Sequence, residues 1–161
     1  MFQFQVVPIP SSVAEHVRRT RSSPRYRHPA HQEVADSYGP CRLCLRKFRR
    51  GQDERLLFTY DPFHGLSDYP SPGPVFVHAG VCDPYQGGAG VPGDLLEIPL
   101  VLEAYAEDRW LLTREPAQGG EVEPAISRLL AIPAVEYLHI RNREAGCYIA
   151  RVERVPSGEG S

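Results

Sequence analysis

Glycine and proline are concentrated in one stretch of this chain, and that stretch restricts the possible folds more than any other feature. Fourteen of the 38 residues from 62 to 99 are Gly or Pro, in a chain of 161 residues. Proline lacks the backbone donor that helices and central strands use, and glycine weakens both elements. We therefore expect a long loop region around one short strand at 74–78. Long loop regions in a small domain are often functional.

Elsewhere the chain alternates short apolar runs with turn signals, which predicts strands joined by tight turns. Helices are predicted at 12–20 and from about 121 to 130, the second with acidic residues in its first turn as the helix dipole favours. These elements predict an α+β fold with a mainly antiparallel sheet in one compact domain over 1–161. The seven predicted strands lie at 2–7, 55–60, 74–78, 100–105, 110–113, 135–142 and 147–155.

Charge is divided unevenly along the chain. Residues 1–55 carry eleven Lys and Arg against five Asp and Glu, whereas residues 56–161 carry seven against fifteen, for a net charge of −2. We expect the basic segment 16–37 to be an exposed arm that packs on the acidic remainder, and 156–161 to be a flexible tail. The nearly neutral total argues against a nucleic-acid partner.

Targeting signals are missing from this sequence. Its first ten residues have no cationic region, and no run approaches the roughly 18 apolar residues of a membrane-spanning helix. We therefore expect a cytoplasmic protein with no membrane partner. Its four cysteines should be reduced thiols or metal ligands in that compartment.

Three of the cysteines and one histidine have the spacing of a metal site. Cys41 and Cys44 are separated by two residues, and His78 and Cys82 by three. Two such pairs predict a closed tetrahedral zinc site of thiolates and a neutral imidazole. Leu45 occupies the position after the second Cys, where zinc knuckles usually carry Gly. The alternative is that all four are ordinary buried side chains, since free Cys is among the most buried residue types.

The last predicted hairpin offers a different site. If residues 143–146 form its turn, Asn142 lies opposite Cys147, and side-chain alternation places Leu138 and Ile140 on an apolar face. The opposite face is suited to an anion or an aromatic ligand. It carries Tyr137, His139, Arg141, Tyr148, Ala150 and Val152.

A third interpretation is a thiol hydrolase. His139, Asn142 and Cys147 resemble a nucleophilic trio, in which His deprotonates Cys and an amide orients the His. The same alternation places Cys147 and His139 on opposite faces of the hairpin unless a bulge intervenes. We therefore favour a non-enzymatic role over this hydrolase, which stays an alternative.

Several short motifs resemble the bacterial domain-of-unknown-function family 1203, over about residues 38–155. The resemblance implies a compact, single-domain bacterial protein of about this length, and it draws attention to Cys41, Arg42, His139, Asn142 and Cys147. The motifs are Pro40-Cys41-Arg42-x-Cys44-Leu45, Gly73-Pro74-x-Phe76-Val77, Leu102-x-Ala104-Tyr105, Tyr137-x-His139-Ile140-x-Asn142, Gly146-Cys147-Tyr148 and Arg151-Val152-Glu153-Arg154.

The sequence thus favours a small non-enzymatic binding domain for an anionic ligand or a protein partner. Its expected ligand-binding residues are Arg42, Tyr137, His139, Arg141, Asn142 and Tyr148. The first alternative is zinc binding through Cys41, Cys44, His78 and Cys82, and the second is the Cys/His hydrolase.

Overall fold

A computed structural model describes residues 4–63, 72–86 and 90–155 of the chain. The predicted tail at 156–161 and two parts of the predicted loop region, 64–71 and 87–89, lie outside the described residues. The strands are β1 (Phe4–Val7), β2 (His31–Val34), β3 (Glu54–Tyr60), β4 (Gly73–His78), β5 (Leu100–Tyr105), β6 (Leu111–Ala117), β7 (Tyr137–Asn142) and β8 (Tyr148–Arg154). The helices are α1 (Ser11–Thr20) and α2 (Val122–Leu130), with short 3-10 turns at Leu95–Glu97, Glu107–Arg109 and Gly119–Glu121.

The α+β prediction is confirmed, with eight strands in two antiparallel sheets instead of about seven in one. The chain packs as two units. The five-stranded unit comprises the described residues of Met1–Val7 and Gln86–Ser161, and the three-stranded unit comprises those of Pro8–Tyr85. No helix in the described part of the chain has the length and apolar character needed to cross a membrane.

The five-stranded unit has the strand order β1-β8-β7-β5-β6. Leu102 pairs with Ile140, and Ala104 pairs with Leu138, so that one face of the sheet is a continuous apolar surface. Helix α2 contributes Ile126 and further buried side chains of its apolar stripe to the core of this unit. Burial of these aliphatic side chains is the main stabilising contribution to the unit.

The predicted register of the last hairpin is wrong beyond its first pairs. Near the turn, Arg141 pairs with Tyr148 as predicted, but β8 then carries one extra residue, so that Ala150 pairs with Ile140. This β-bulge moves every later β8 side chain to the other face. Ala150 and Val152 therefore belong to the apolar face rather than the His139 face, whereas Arg151 lies opposite His139.

The three-stranded unit has the order β2-β3-β4 and includes helix α1. Strand β3 pairs with β2 along one edge and with β4 along the other, which places Arg55 directly opposite His78. The segment 16–37, which we expected to be an exposed arm, contains the end of α1, the strand β2 and a turn closed by an isolated bridge from Ser22 to Pro29. Most of its side chains are exposed or half-buried, but Val17, Ser23 and Ala35 are buried.

Candidate metal centre

A tight turn carries the first two candidate ligands. The backbone N–H of Leu45 donates to the Cys41 carbonyl at 2.8 Å, and that of Cys41 donates to the Arg46 carbonyl at 2.9 Å. Leu45 has φ 60°, the left-handed conformation that glycine usually provides in such turns. Leu45 is also fully buried, so its side chain compensates for the backbone strain by packing in the core. A Leu is therefore compatible with the knuckle turn that this spacing predicts.

The other two ligands come from the end of β4 and the segment after it. His78 is the last residue of β4, and Cys82 lies four residues later in irregular backbone. The Arg42 N–H donates to the Phe76 carbonyl at 2.9 Å, which ties the knuckle turn to β4. The Tyr85 N–H donates to the Leu43 carbonyl at 2.9 Å, which ties the segment after β4 to the knuckle turn. These two hydrogen bonds bring the two halves of the motif together.

The four ligand atoms converge. The three Sγ atoms and the His78 Nδ1 all lie within 4.8 Å of one another. The Sγ atoms of Cys41 and Cys82 are 3.8 Å apart, and the Cys44 Sγ lies 3.6 Å from the His78 Nδ1. A tetrahedral zinc ion with ordinary bond lengths has S–S edges of about 3.8 Å and S–N edges of about 3.5 Å. The two edges measured here match that tetrahedron.

A carboxylate and a guanidinium contact this cluster from outside. The Asp53 Oδ2 lies 3.3 Å from the His78 Nε2, the ring nitrogen that does not face the thiols. Asp53 is itself held by Arg49, whose backbone N–H and Nε donate to it at 2.7 and 3.0 Å. Metal-bound histidines commonly donate their second N–H to a carboxylate, which fixes the ring orientation. On the other side, the Arg18 Nη2 donates to the Cys82 Sγ at 3.2 Å.

Proton affinities in the metal-free cluster are strongly shifted. Hydrogen bonds from Cys44 and Cys82 lower the pKa of Cys41, and its thiolate raises the pKa of Cys44. Hydrogen bonds to Cys41 and Cys82 raise the pKa of His78 to about 10. These shifts favour a thiolate on Cys41 beside a protonated His78, a charge pair that a divalent cation replaces when it displaces the protons.

Apolar and aromatic groups enclose the cluster. Cys41 and Leu45 are fully buried, Cys44 is 7% exposed, and the Phe48 ring lies 4.8 Å from the His78 ring. Burial excludes water from the sulfur atoms of Cys41 and Cys44 and strengthens their interaction with a bound cation.

The predicted ligand face of the last hairpin is largely buried in the described structure. The ring centroids of Tyr105, Tyr137 and Tyr148 all lie within 5.3 Å of the His139 ring. The Arg141 Nε donates to the Glu103 Oε1 at 2.7 Å, and this carboxylate also accepts a bond from the Tyr105 hydroxyl. These groups thus bond to one another, and the anion site they were predicted to form stays a prediction.

Two more members of that predicted set have structural contacts. The Asn142 side chain accepts hydrogen bonds from the N–H groups of Glu144 and Ala145 at 2.9 and 3.0 Å and so stabilises the hairpin turn. Arg42 is 3% exposed, belongs to the three-stranded unit, and donates to the Pro40 carbonyl.

Sequence reasoning missed Asp53 and Arg18. The only local signal for Asp53 is its ion pair with Arg49, four residues earlier, and that pattern is common on exposed surfaces. Arg18 is one of many arginines in the basic segment, and nothing in its local sequence points to Cys82.

Comparison with known proteins gives one match. The family model described as a protein of unknown function (DUF1203) matches residues 39–154, which include all four residues of the cluster. No curated protein and no solved structure matches the chain. Because the match covers well over half of the sequence, the chain belongs to the DUF1203 family.

Proposed function

We propose that this protein binds one zinc ion through Cys41, Cys44, His78 and Cys82. The observation that carries the proposal is the convergence of four ligand atoms within 4.8 Å of one another, with two of their separations, 3.8 and 3.6 Å, close to those of a zinc tetrahedron. Three thiolates and an imidazole select zinc over the hard cations Mg²⁺ and Ca²⁺, which prefer oxygen ligands. The carboxylate of Asp53 on the outer nitrogen of His78 is the usual support for a zinc-bound histidine.

The proposed role of the ion is structural. Four protein ligands leave no open position for water or substrate, which is the feature that distinguishes structural from catalytic zinc sites. The ion links the knuckle turn to the end of β4 and to the segment 79–86, which otherwise meet through a few backbone hydrogen bonds. Binding free energy at such a site contributes directly to folding.

Metal analysis of the purified protein tests the proposal. We expect about one zinc per chain after purification without chelator, and a content below about 0.2 equivalents after refolding with zinc contradicts the proposal. Co²⁺ substitution adds a spectroscopic readout, because tetrahedral thiolate sites give intense ligand-field and charge-transfer bands.

Two matched variants sharpen this test. Cys44→Ser removes one ligand and should abolish stoichiometric zinc binding. Cys147→Ser removes the half-exposed thiol of the five-stranded unit and should leave the zinc content unchanged. Equal zinc content in the two variants contradicts the assignment of ligands.

Anionic-ligand binding and a cytoplasmic location are also part of the proposal, but fewer contacts in the structure support them. Free thiols at all four cysteines are compatible with a reducing compartment. The hairpin face offers Arg141, but its guanidinium already bonds to Glu103 and to the Gly146 carbonyl. A ligand there has to compete with those contacts, so the metal centre is the better supported function.

A further inference from the structure

Cys82 differs from the other two thiol ligands in its access to solvent. Cys41 and Cys44 are buried, whereas Cys82 is half-buried and follows Val81, which is 93% exposed. Cys82 also lines a groove of about 820 Å³ whose other wall is formed by Ser11, Glu15 and Arg18 of α1. One sulfur of the cluster is therefore open to small molecules while the other two are shielded.

The backbone around Cys82 allows its sulfur to move. Cys82 lies between two hydrogen-bonded positions, Ala79, which bonds to the Glu54 carbonyl, and Tyr85, which bonds to the Leu43 carbonyl. It belongs to neither a helix nor a strand. Cys41, in contrast, is held in the knuckle turn. The partner sulfur of Cys41 is 3.8 Å away, and a disulfide requires about 2.05 Å. The two sulfurs must therefore approach by slightly less than 2 Å, and we expect Cys82 rather than Cys41 to move.

We propose that Cys82 is a modification site, oxidised by hydroperoxides that enter the groove, and that it then forms a disulfide with Cys41 and releases the metal ion. This inference rests on the proposed zinc site, because the ion keeps both sulfurs deprotonated and adjacent. It adds to that site a specific reactive atom, a specific partner and a chemical class of reagent.

The reaction balances in two steps. The Cys82 sulfur attacks the terminal oxygen of the hydroperoxide and the O–O bond breaks. The departing hydroxide, or the alkoxide of an organic hydroperoxide, takes a proton from solvent to become water or an alcohol. The Cys41 thiolate then attacks the sulfur of the Cys82 sulfenic acid, the S–S bond forms, and the second hydroxide leaves as water after protonation. Two thiolates lose two electrons, and the peroxide gains them.

Arg18 has a defined part in the first step. Its Nη2 lies 3.2 Å from the Cys82 Sγ, and its Nε donates to the His78 carbonyl at 3.1 Å, so that the guanidinium is held at the groove wall. A fixed positive charge beside the sulfur stabilises the hydroxide that leaves the peroxide. Loss of Cys41 and Cys82 from coordination leaves only Cys44 and His78, which is too few ligands for tight zinc binding.

The test uses the zinc-loaded full chain and hydrogen peroxide. Zinc content is measured first, and it reports on the proposed function alone. A chromophoric chelator then follows metal release, and trypsin mapping without reduction identifies the bond formed. Trypsin separates the four cysteines, because Cys41 falls in peptide 28–42, Cys44 in 43–46, Cys82 in 56–109 and Cys147 in 144–151.

We expect release of one zinc per chain together with a linked pair of peptides 28–42 and 56–109. Brief treatment of the zinc-loaded protein with iodoacetamide should label Cys82 at least about tenfold faster than Cys41 or Cys44. Cys147→Ser should release zinc at an unchanged rate, and Arg18→Gln should release it more slowly.

Three results contradict the inference while leaving the zinc site intact. They are a zinc-loaded protein that retains its metal in peroxide, a disulfide between Cys41 and Cys44, and labelling of Cys41 or Cys44 before Cys82. Absence of stoichiometric zinc in the untreated protein overturns the proposed function itself, and the inference falls with it.

Discussion

Replacement of Asp53 by Asn tests whether its carboxylate supports the metal centre through His78. The Asp53 Oδ2 lies 3.3 Å from the His78 Nε2, and the two side chains are 10% and 19% exposed. Two full charges at this separation interact by about 5 kcal/mol at an effective dielectric constant of 20. Zinc-bound imidazole carries only part of a positive charge, and Arg49 already neutralises part of Asp53, so the net effect is smaller.

We expect Asp53→Asn to weaken zinc binding by about tenfold to a hundredfold, or about 1.4 to 2.8 kcal/mol. The amide keeps the size of the carboxylate and an acceptor oxygen, so the variant removes mainly the charge. Competition between the protein and a chromophoric chelator measures the affinity, and urea unfolding checks that the variant is folded.

Asp36→Asn provides the matched control. Asp36 belongs to the same unit, is 83% exposed and pairs with Arg55 rather than with the cluster. Its replacement removes the same net charge and should change zinc affinity less than about twofold. A folded Asp53→Asn protein with wild-type zinc affinity shows that this carboxylate does not support the site through His78, and an equal loss of affinity in both variants assigns the effect to net charge.

Further outcomes follow from the structure. Removal of zinc with a chelator should lower the Tm by about 5 to 10 °C relative to protein with zinc at a hundred times its Kd, as differential scanning fluorimetry will show. Zinc affinity should fall at least about a hundredfold between pH 7.5 and 5.5 in chelator competition, because His78, whose pKa is raised to about 10 without metal, and the thiols must lose protons to bind. Without metal, the stability of the fold depends on pH in the opposite direction to zinc affinity. Because the pKa of His78 is raised in the folded protein, its stabilisation of the fold is complete below about pH 6.5 and is lost as the pH rises towards 10. Arg55→Ala should lower the free energy of unfolding in urea by about 3 kcal/mol, because the Arg55 side chain is 2% exposed and its guanidinium stacks 3.7 Å from the Phe76 ring. Asp36→Asn, which removes an exposed partner of Arg55, should lower it by less than about 0.5 kcal/mol. Gly90→Ala should lower the free energy of unfolding by about 1 to 3 kcal/mol, because φ +96° is strained for any residue with a Cβ, and the Glu123 carboxylate, 2.5 Å from an added Cβ, also has to move. A loss below about 0.3 kcal/mol would contradict this.

Local sequence patterns were sufficient to predict the hairpins. The β5–β6 and β7–β8 pairs follow from apolar alternation and short turns, which are properties of neighbouring residues. Strand β2 was not predicted, because three of its four side chains are exposed and no alternation marks it. Its strand conformation comes from pairing with β3, a contact that local sequence does not encode.

The β-bulge in β8 shows how a small structural difference changes a predicted site. Alternation assigned the faces of the hairpin correctly up to Arg141 and Tyr148, and one extra residue reversed them beyond that point. Arg151 lies opposite His139 beyond the bulge, and its guanidinium stacks 3.9 Å from the Tyr137 ring. A bulge depends on how two strands pair, so counting along one strand cannot reveal it.

The metal centre likewise has features that local sequence predicts and features that depend on long-range packing. The α+β class and the four candidate ligands could be predicted from the sequence, because element type and ligand chemistry depend on residue identity and short spacing. The distance of 3.6 Å between the Cys44 Sγ and the His78 Nδ1, from residues 34 positions apart, comes from the way the chain folds. The fold also places Asp53 on His78, Arg18 on Cys82, and a groove beside only one of the three thiols. Such contacts join distant parts of the chain, and they depend on strand pairing and packing that no local pattern specifies.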